Sequence, residues 1–284
     1  MNTSSFVSAQ DGLTVTTYSW PADTEQVRGV VQIAHGLAEH SARYARLAAA
    51  LNAAGYHVGS TDHRGHGASI AGVPGDFGAP GFEGLWRDMV QYGELLRQAH
   101  PGLRLYLIGH SMGSFAAQNL LPEYSGLYDG VVLTGSTAID VMAAQMGSGP
   151  AGDLSVFNAA FENRTGYEWL SRDEAEVDAY VADPLCGFAL PEETTPSLFA
   201  DGARLSDPTE LGRIRPDLPI LILSGSDDPL SGGGQLTALI AKRYADAGVR
   251  DVTFTVYPGA RHEVFNETNR NEVTAEVVAW LHAH

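Results

Sequence analysis

The run "LRLYLIGH" (103–110) reads as a buried strand, and it flows directly into Gly109-His110-Ser111-Met112-Gly113 and then into "FAAQNLL", which reads as a helix. A strand that turns into a helix within so few residues makes a sharp, strained bend. Glycines are needed on both sides of Ser111, where side chains would collide, and the serine hydroxyl is left standing above the end of a sheet. Few architectures accept such a turn.

The rest of the chain agrees with one that does. Strand-like runs at 29–36, 56–62, 103–110, 130–135, 219–225 and 251–259 alternate with helical periodicity at 41–55, 86–99 and a last helix carrying Val273, Val277, Trp280 and Leu281 on one face. This alternation predicts an α/β fold with a mostly parallel sheet flanked by helices. "FVSAQDGLTVTTY" is expected to be a hairpin with Asp11-Gly12 in a type I′ turn, and Ser41 is the expected N-cap of the 41–55 helix. Between residues 137 and 206 the alternation stops and only helices and loops are expected, with "SRDE" (171–174) reading as a capping box. The predicted organisation is a core of 1–136 and 207–284 with a helical insertion at 137–206.

Charge excludes several classes of partner. The net charge is −17, and 17 Lys and Arg residues scattered along 284 positions cannot supply the basic patch that nucleic acid requires. Residues 137–206 hold 12 acidic and 3 basic residues, a net −9, so about half of the charge sits in a quarter of the chain. Such a lobe is expected to avoid anionic membrane surfaces. The N-terminal residues lack a basic stretch followed by an apolar one, and no apolar run approaches ~18 residues, so a soluble, cytoplasmic protein without integral membrane association is expected. The single cysteine, Cys186, cannot form an intramolecular disulfide and is expected to be a core thiol. No Cys/His spacing resembles a metal site, and no cofactor is implied. "GSGPAG" (147–152) matches a dinucleotide-loop pattern but follows no predicted strand, so it reads as a loop of the insertion.

A serine near its ordinary pKa is a poor nucleophile. It needs an imidazole within reach and an acid to orient that imidazole. Of ten histidines, His110 is expected to point away from its neighbour Ser111, His63 and His66 in "DHRGHGAS" to organise a loop, and His282 and His284 to lie at the end of the last helix. His262 follows the last predicted strand, at the same sheet edge as Ser111. The acid should follow the preceding strand, where "LSGSDDPLSGGG" offers Asp227 and Asp228. Adjacent side chains in extended chain point to opposite sides, so only one can meet His262. Asp228 is preferred because Pro229 holds it extended, with Asp227 as the alternative. A developing oxyanion would need two donors. The Met112 N–H supplies one, and the Leu37 N–H in "HGLAEH" is the expected second.

"HGLAEHSARY" (35–44), "DHRGHGAS" (62–69), "GHSMGS" (109–114), "GSDDPLSGGG" (225–234) and "GARHEVFNE" (259–267) together resemble the monoacylglycerol lipase and lysophospholipase branch of the α/β-hydrolases. The resemblance implies a triad of Ser111, Asp228 and His262, an oxyanion hole from Leu37 and Met112, and an inserted cap over an apolar acyl pocket. Its G-x-x-D spacing, from Gly225 to Asp228, selects the same aspartate. Ser114 departs from it, where a second glycine is usual. In the insertion, Met142, Met146, Leu154, Phe157, Phe161 and Trp169 are candidates to line the pocket, or else simply pack the cap onto the core. The expected function is a serine ester hydrolase acting on monoacylglycerol-like esters. A broader carboxylesterase, a lysophospholipase and a non-catalytic ligand receptor on the same fold are the alternatives.

Overall fold

The computed structural model describes residues 1–146 and 154–284. The chain opens with an antiparallel hairpin, β1 (Asn2–Val7) and β2 (Thr14–Trp20). Then follow β3 (Gly29–Ala34), α1 (Ala45–Ala53), β4 (Tyr56–Thr61), α2 (Gly81–Ala99), β5 (Arg104–His110), α3 (Met112–Tyr124) and β6 (Gly130–Thr134). Four short helices come next: α4 (Ile139–Met146), α5 (Glu174–Ala182), α6 (Thr195–Phe199) and α7 (Pro208–Leu211). The alternation then resumes with β7 (Ile220–Gly225), α8 (Gln235–Asp246), β8 (Val252–Tyr257) and α9 (Arg270–Ala283). Between β6 and β7 no strand occurs among the described residues. The "GSGPAG" segment and the Met146 side chain lie outside the described residues.

All eight strands form one sheet in the order β1-β2-β4-β3-β5-β6-β7-β8, parallel from β4 to β8 and antiparallel on both sides of β2. The central strands are buried throughout and serve two cores by their period of two. Leu105, Leu107, Val131, Leu133, Ile220 and Ile222 pack with α2, α3 and α8, while Tyr106, Ile108, Val132, Leu221 and Leu223 pack with α1 and α9. Every parallel strand therefore ends at one edge, above which the helices between β6 and β7 are placed. No helix among the described residues is long and apolar enough to cross a membrane.

Three local expectations need correction. The first hairpin closes through residues 8–13 rather than a two-residue turn, with Ser8 N–H donating to Leu13 O at 2.8 Å and only Gly12 at positive φ. Asp11 is drawn instead toward the buried Arg64 guanidinium, 2.9 Å away. Ser41 does not cap α1. It begins a 3-10 turn (Ser41–Tyr44), its hydroxyl accepts from Ser60 at 2.8 Å and its N–H donates to Asp62. Asp173, not Ser171, caps α5 by accepting from Ala175 N–H, because the Ser171 hydroxyl donates to the carbonyl of Asn266 and accepts from Asp173 N–H, one residue before the helix.

Candidate active site

The turn after β5 is strained where the sequence asks for it. Ser111 has φ 50° and ψ −120°, one of two non-glycine residues at positive φ among those described. The bend is held by Ser111 N–H donating to Thr134 O at 2.9 Å, and by the Ser111 carbonyl accepting from Ser114 N–H and Phe115 N–H. Ser114 adds a third bond that a glycine could not make, its hydroxyl donating to the same carbonyl at 2.7 Å. A Cβ on Gly113 would stand 2.2 Å from Ala34 O, and one on Gly109 would stand 2.7 Å from Gly113 O. Both obstacles are backbone, so Gly113→Ala is expected to cost at least ~3 kcal/mol in urea unfolding. Gly126→Ala, with nothing within 4 Å and no positive φ, should stay within ~0.5 kcal/mol of the parent.

The loop after β3 lies against this turn, with a Cβ on Gly36 coming 3.1 Å from that of Ser111. Its donors are divided in a telling way. Gly36 N–H donates to Glu39 Oε1 at 2.5 Å, and Ala38 N–H donates to His66 Nε2 at 3.1 Å. The N–H groups of Leu37 and Met112 meet no protein acceptor among the described residues. His66 therefore organises the loop, and Ala38 is the other non-glycine residue at positive φ.

Asp228 follows β7 and His262 follows β8. His262 Nδ1–H donates to Asp228 Oδ1 at 3.1 Å, and that oxygen also accepts from Leu230 N–H at 2.9 Å. Both residues are at most 2 % exposed. Asp227 points to solvent and accepts from the Ser226 hydroxyl. The His262 ring packs against Trp169, with centroids 4.8 Å apart, and the His262 backbone N–H donates to the Trp169 carbonyl.

One residue that sequence reasoning missed joins these loops. Arg43 donates to Glu39 Oε2 at 2.6 Å and, in bidentate fashion, to both oxygens of Glu263 at 2.6 and 2.8 Å. Burial would raise the pKa of both carboxyls, but the Arg43 guanidinium overrides it, and Glu39 is held down to about 2. The only hint in the sequence was Arg43 one turn beyond Glu39 in "HGLAEHSARY". Its link to Glu263 spans 220 residues of the chain.

His110 also departs from expectation. Beyond turning from Ser111, its ring packs 4.9 Å from His262, with Nδ1 bonded to the Thr134 hydroxyl, a contact the sequence reading did not anticipate. Burial first, then the neighbouring His262, lowers its pKa to about 4, and burial, with His35 beside it, lowers that of His66 to about 3. Both folded-state values lie below the unfolded value of about 6.5, so the unfolded chain binds more protons between them. Their contribution is complete above pH 6.5 and fades on acidification toward pH 4 and 3. Urea midpoints should fall between pH 7 and 5, with about 2 kcal/mol from His110 alone at pH 5.

A largely apolar cavity of about 60 Å³ opens over the serine. Leu37, Ser111, Met112, His110 and His262 form its polar end. Of the candidates from the insertion, Met142, Leu154, Phe157 and Trp169 line it. Phe161 does not. It carries the Arg261 guanidinium 4.6 Å above its ring, outside the cavity. Leu190, Leu198, Phe199 and Tyr180 line it as well and were not singled out, since Leu190 lies in a loop and the short helices of the others give too little periodicity to reveal a face.

A mostly parallel sheet with a serine on a strained turn after β5, a carboxylate after β7 and an imidazole after β8 defines a serine hydrolase of the α/β-hydrolase fold. The chain belongs to the family described as serine aminopeptidase, S33 (Hydrolase_4), whose pattern matches residues 25–269. It is 32% identical to the monoacylglycerol lipase of Mycolicibacterium smegmatis, over 93% of this chain and 91% of that protein. It is 31% identical to human monoglyceride lipase, over 89% of this chain and 82% of that one. In fold it is similar to a thermostable carboxyl esterase from Bacillus coagulans solved with glycerol, with a TM-score of 0.87 at 24% identity over 99% of this chain and 98% of the other.

Proposed function

We propose that this protein hydrolyses monoacylglycerol-like carboxylic esters through an acyl-enzyme on Ser111. Ser111 Oγ attacks the ester carbonyl and passes its proton to His262 Nε2, while Asp228 Oδ1 keeps the other ring proton on Nδ1. The carbonyl oxygen, now negative, takes the unpaired N–H groups of Leu37 and Met112. His262 then protonates the leaving alcohol, and a water activated by the same imidazole releases the fatty acid. Residues 137–206 act as the cap on a core of 1–136 and 207–284, and their apolar side chains, Met142, Leu154, Phe157 and Trp169, receive the acyl chain. The intended setting is cytoplasmic, with a small ester substrate and no cofactor.

The observation that carries this reading is the pairing of two unpartnered backbone donors with a serine at the head of an apolar cavity. The family description raises a second possibility, removal of an N-terminal amino acid from a peptide. Such a substrate needs an anion for its ammonium group, and the two carboxylates that line the cavity, Glu39 and Glu263, are both occupied by Arg43. A chain-length series of glycerol and nitrophenyl esters, run beside amino-acid arylamides, tests the choice. Turnover should peak at medium or long acyl groups. A peak at two-carbon acyl groups, or faster cleavage of the arylamides, would sink the proposal.

A further inference from the structure

Beside the oxyanion loop, the fold assembles three side chains that the sequence keeps far apart. His40 stands directly after Glu39, while Asp183 and Cys186 flank the turn that follows α5. His40 Nε2 lies 2.9 Å from Asp183 Oδ2, and one donor atom from each of His40, Asp183 and Cys186 lies within 4.8 Å of the other two. Asp183 Oδ1 accepts from Leu185 N–H at 2.9 Å, which aims Oδ2 at the histidine, and Cys186 N–H donates back to Asp183 O at 3.0 Å, which folds the thiol toward the pair. His40 is nearly buried, whereas Asp183 and Cys186 are half-buried, so the cluster is reachable from solvent.

We propose that His40, Asp183 and Cys186 form a binding site for a zinc-class divalent cation, which bridges the cap to the oxyanion loop and slows turnover. One imidazole, one carboxylate and one thiolate are donors suited to a borderline-soft ion, with water in the fourth position. Tetrahedral ligation places donor atoms roughly 3.3–3.6 Å apart, so side-chain rotations of about an ångström close the set. On binding, the Cys186 thiol releases its proton to solvent as the sulfur–metal bond forms. The His40 proton moves from Nε2 to Nδ1, so the ring stays neutral, and Asp183 Oδ2 exchanges the imidazole N–H for the ion. The surroundings favour a cation, since the carboxylates of Glu39, Asp183 and Glu263 outnumber the Arg43 guanidinium near the sulfur. They also hold the thiol protonated while no ion is bound, burial being the larger cause.

The bridge would act at a sensitive place. The same segments already meet at Ala38, whose carbonyl accepts from Gly187 N–H at 3.0 Å and from the Tyr180 hydroxyl at 2.9 Å. Ala38 adjoins Leu37 and is itself at positive φ. Pulling His40 toward the cap therefore shifts the loop that must present the Leu37 N–H to substrate.

The test uses Co²⁺ on the metal-free protein, followed by Zn²⁺ titration of ester turnover. The wild type should show a near-ultraviolet thiolate-to-cobalt band that Cys186→Ser abolishes. Zn²⁺ should inhibit the wild type reversibly, with chelator restoring activity, and Cys186→Ser should raise the half-inhibitory concentration at least about tenfold. Cys186→Ser should equal the wild type in turnover when chelator is present. No band in the wild type, or a band that survives in Cys186→Ser, overturns the site. A band without inhibition overturns the bridging effect. The cobalt spectrum does not depend on catalysis, so its failure is distinguishable from failure of the hydrolase reading.

Discussion

Ser111→Ala is expected to lower kcat for a monoacylglycerol by about 10⁶, with loss of covalent labelling by a fluorophosphonate and an unchanged urea midpoint. The turn that carries the residue explains why activity and stability part company. The bonds that hold Ser111 reach its own backbone: its N–H on Thr134 O, and its carbonyl under the N–H groups of Ser114 and Phe115 and the Ser114 hydroxyl. Alanine keeps those bonds and meets the same cost at φ 50°. Among the described residues the hydroxyl makes no hydrogen bond that its removal would orphan. Labelling of the alanine variant, or turnover within tenfold of the parent, would mean that another residue is the nucleophile.

Asp228→Asn should lower kcat by about 10⁴ with little change in KM, while Asp227→Asn should leave turnover near that of the parent. The buried oxygen Oδ1 of Asp228 serves both Leu230 N–H and the His262 ring. An asparagine can still accept from Leu230, so the loop survives, but a neutral amide does not stabilise the imidazolium that forms during attack. Asp227 is exposed and touches only its neighbour's hydroxyl, so its charge is screened by water. Steady-state kinetics of the two variants on one substrate decides the matter, and the reverse ranking would reassign the acid.

How much of this was legible in the chain depended on how local each signal was. The sheet followed from apolar runs of strand length, and the elbow from two glycines whose missing side chains leave room for Ala34 and Gly113 backbone. The position of His262 at the edge shared with Ser111 followed from counting strands. What escaped were contacts set by distant chain. The partner of Arg43 at Glu263, the packing of His110 on His262 and the escape of Phe161 to Arg261 all depend on how separate loops meet above the sheet. Short helices made the insertion hardest to read. A residue such as Leu198, in the five-residue α6, shows no periodicity from which an inward face could be inferred.

Arg43 carries a consequence for how such a site can change over time. Its guanidinium fastens the loop that offers Leu37 and the loop that offers His262 to a single cation, buried between two acids. Loss of Arg43 would leave two buried carboxylates without a counter-charge, so one side chain sets the cost of disturbing either loop. Substitutions at Glu39, Arg43 and Glu263 are thus expected to be non-additive in stability, whereas apolar cavity residues such as Met142 and Phe157 can be exchanged without touching that cation.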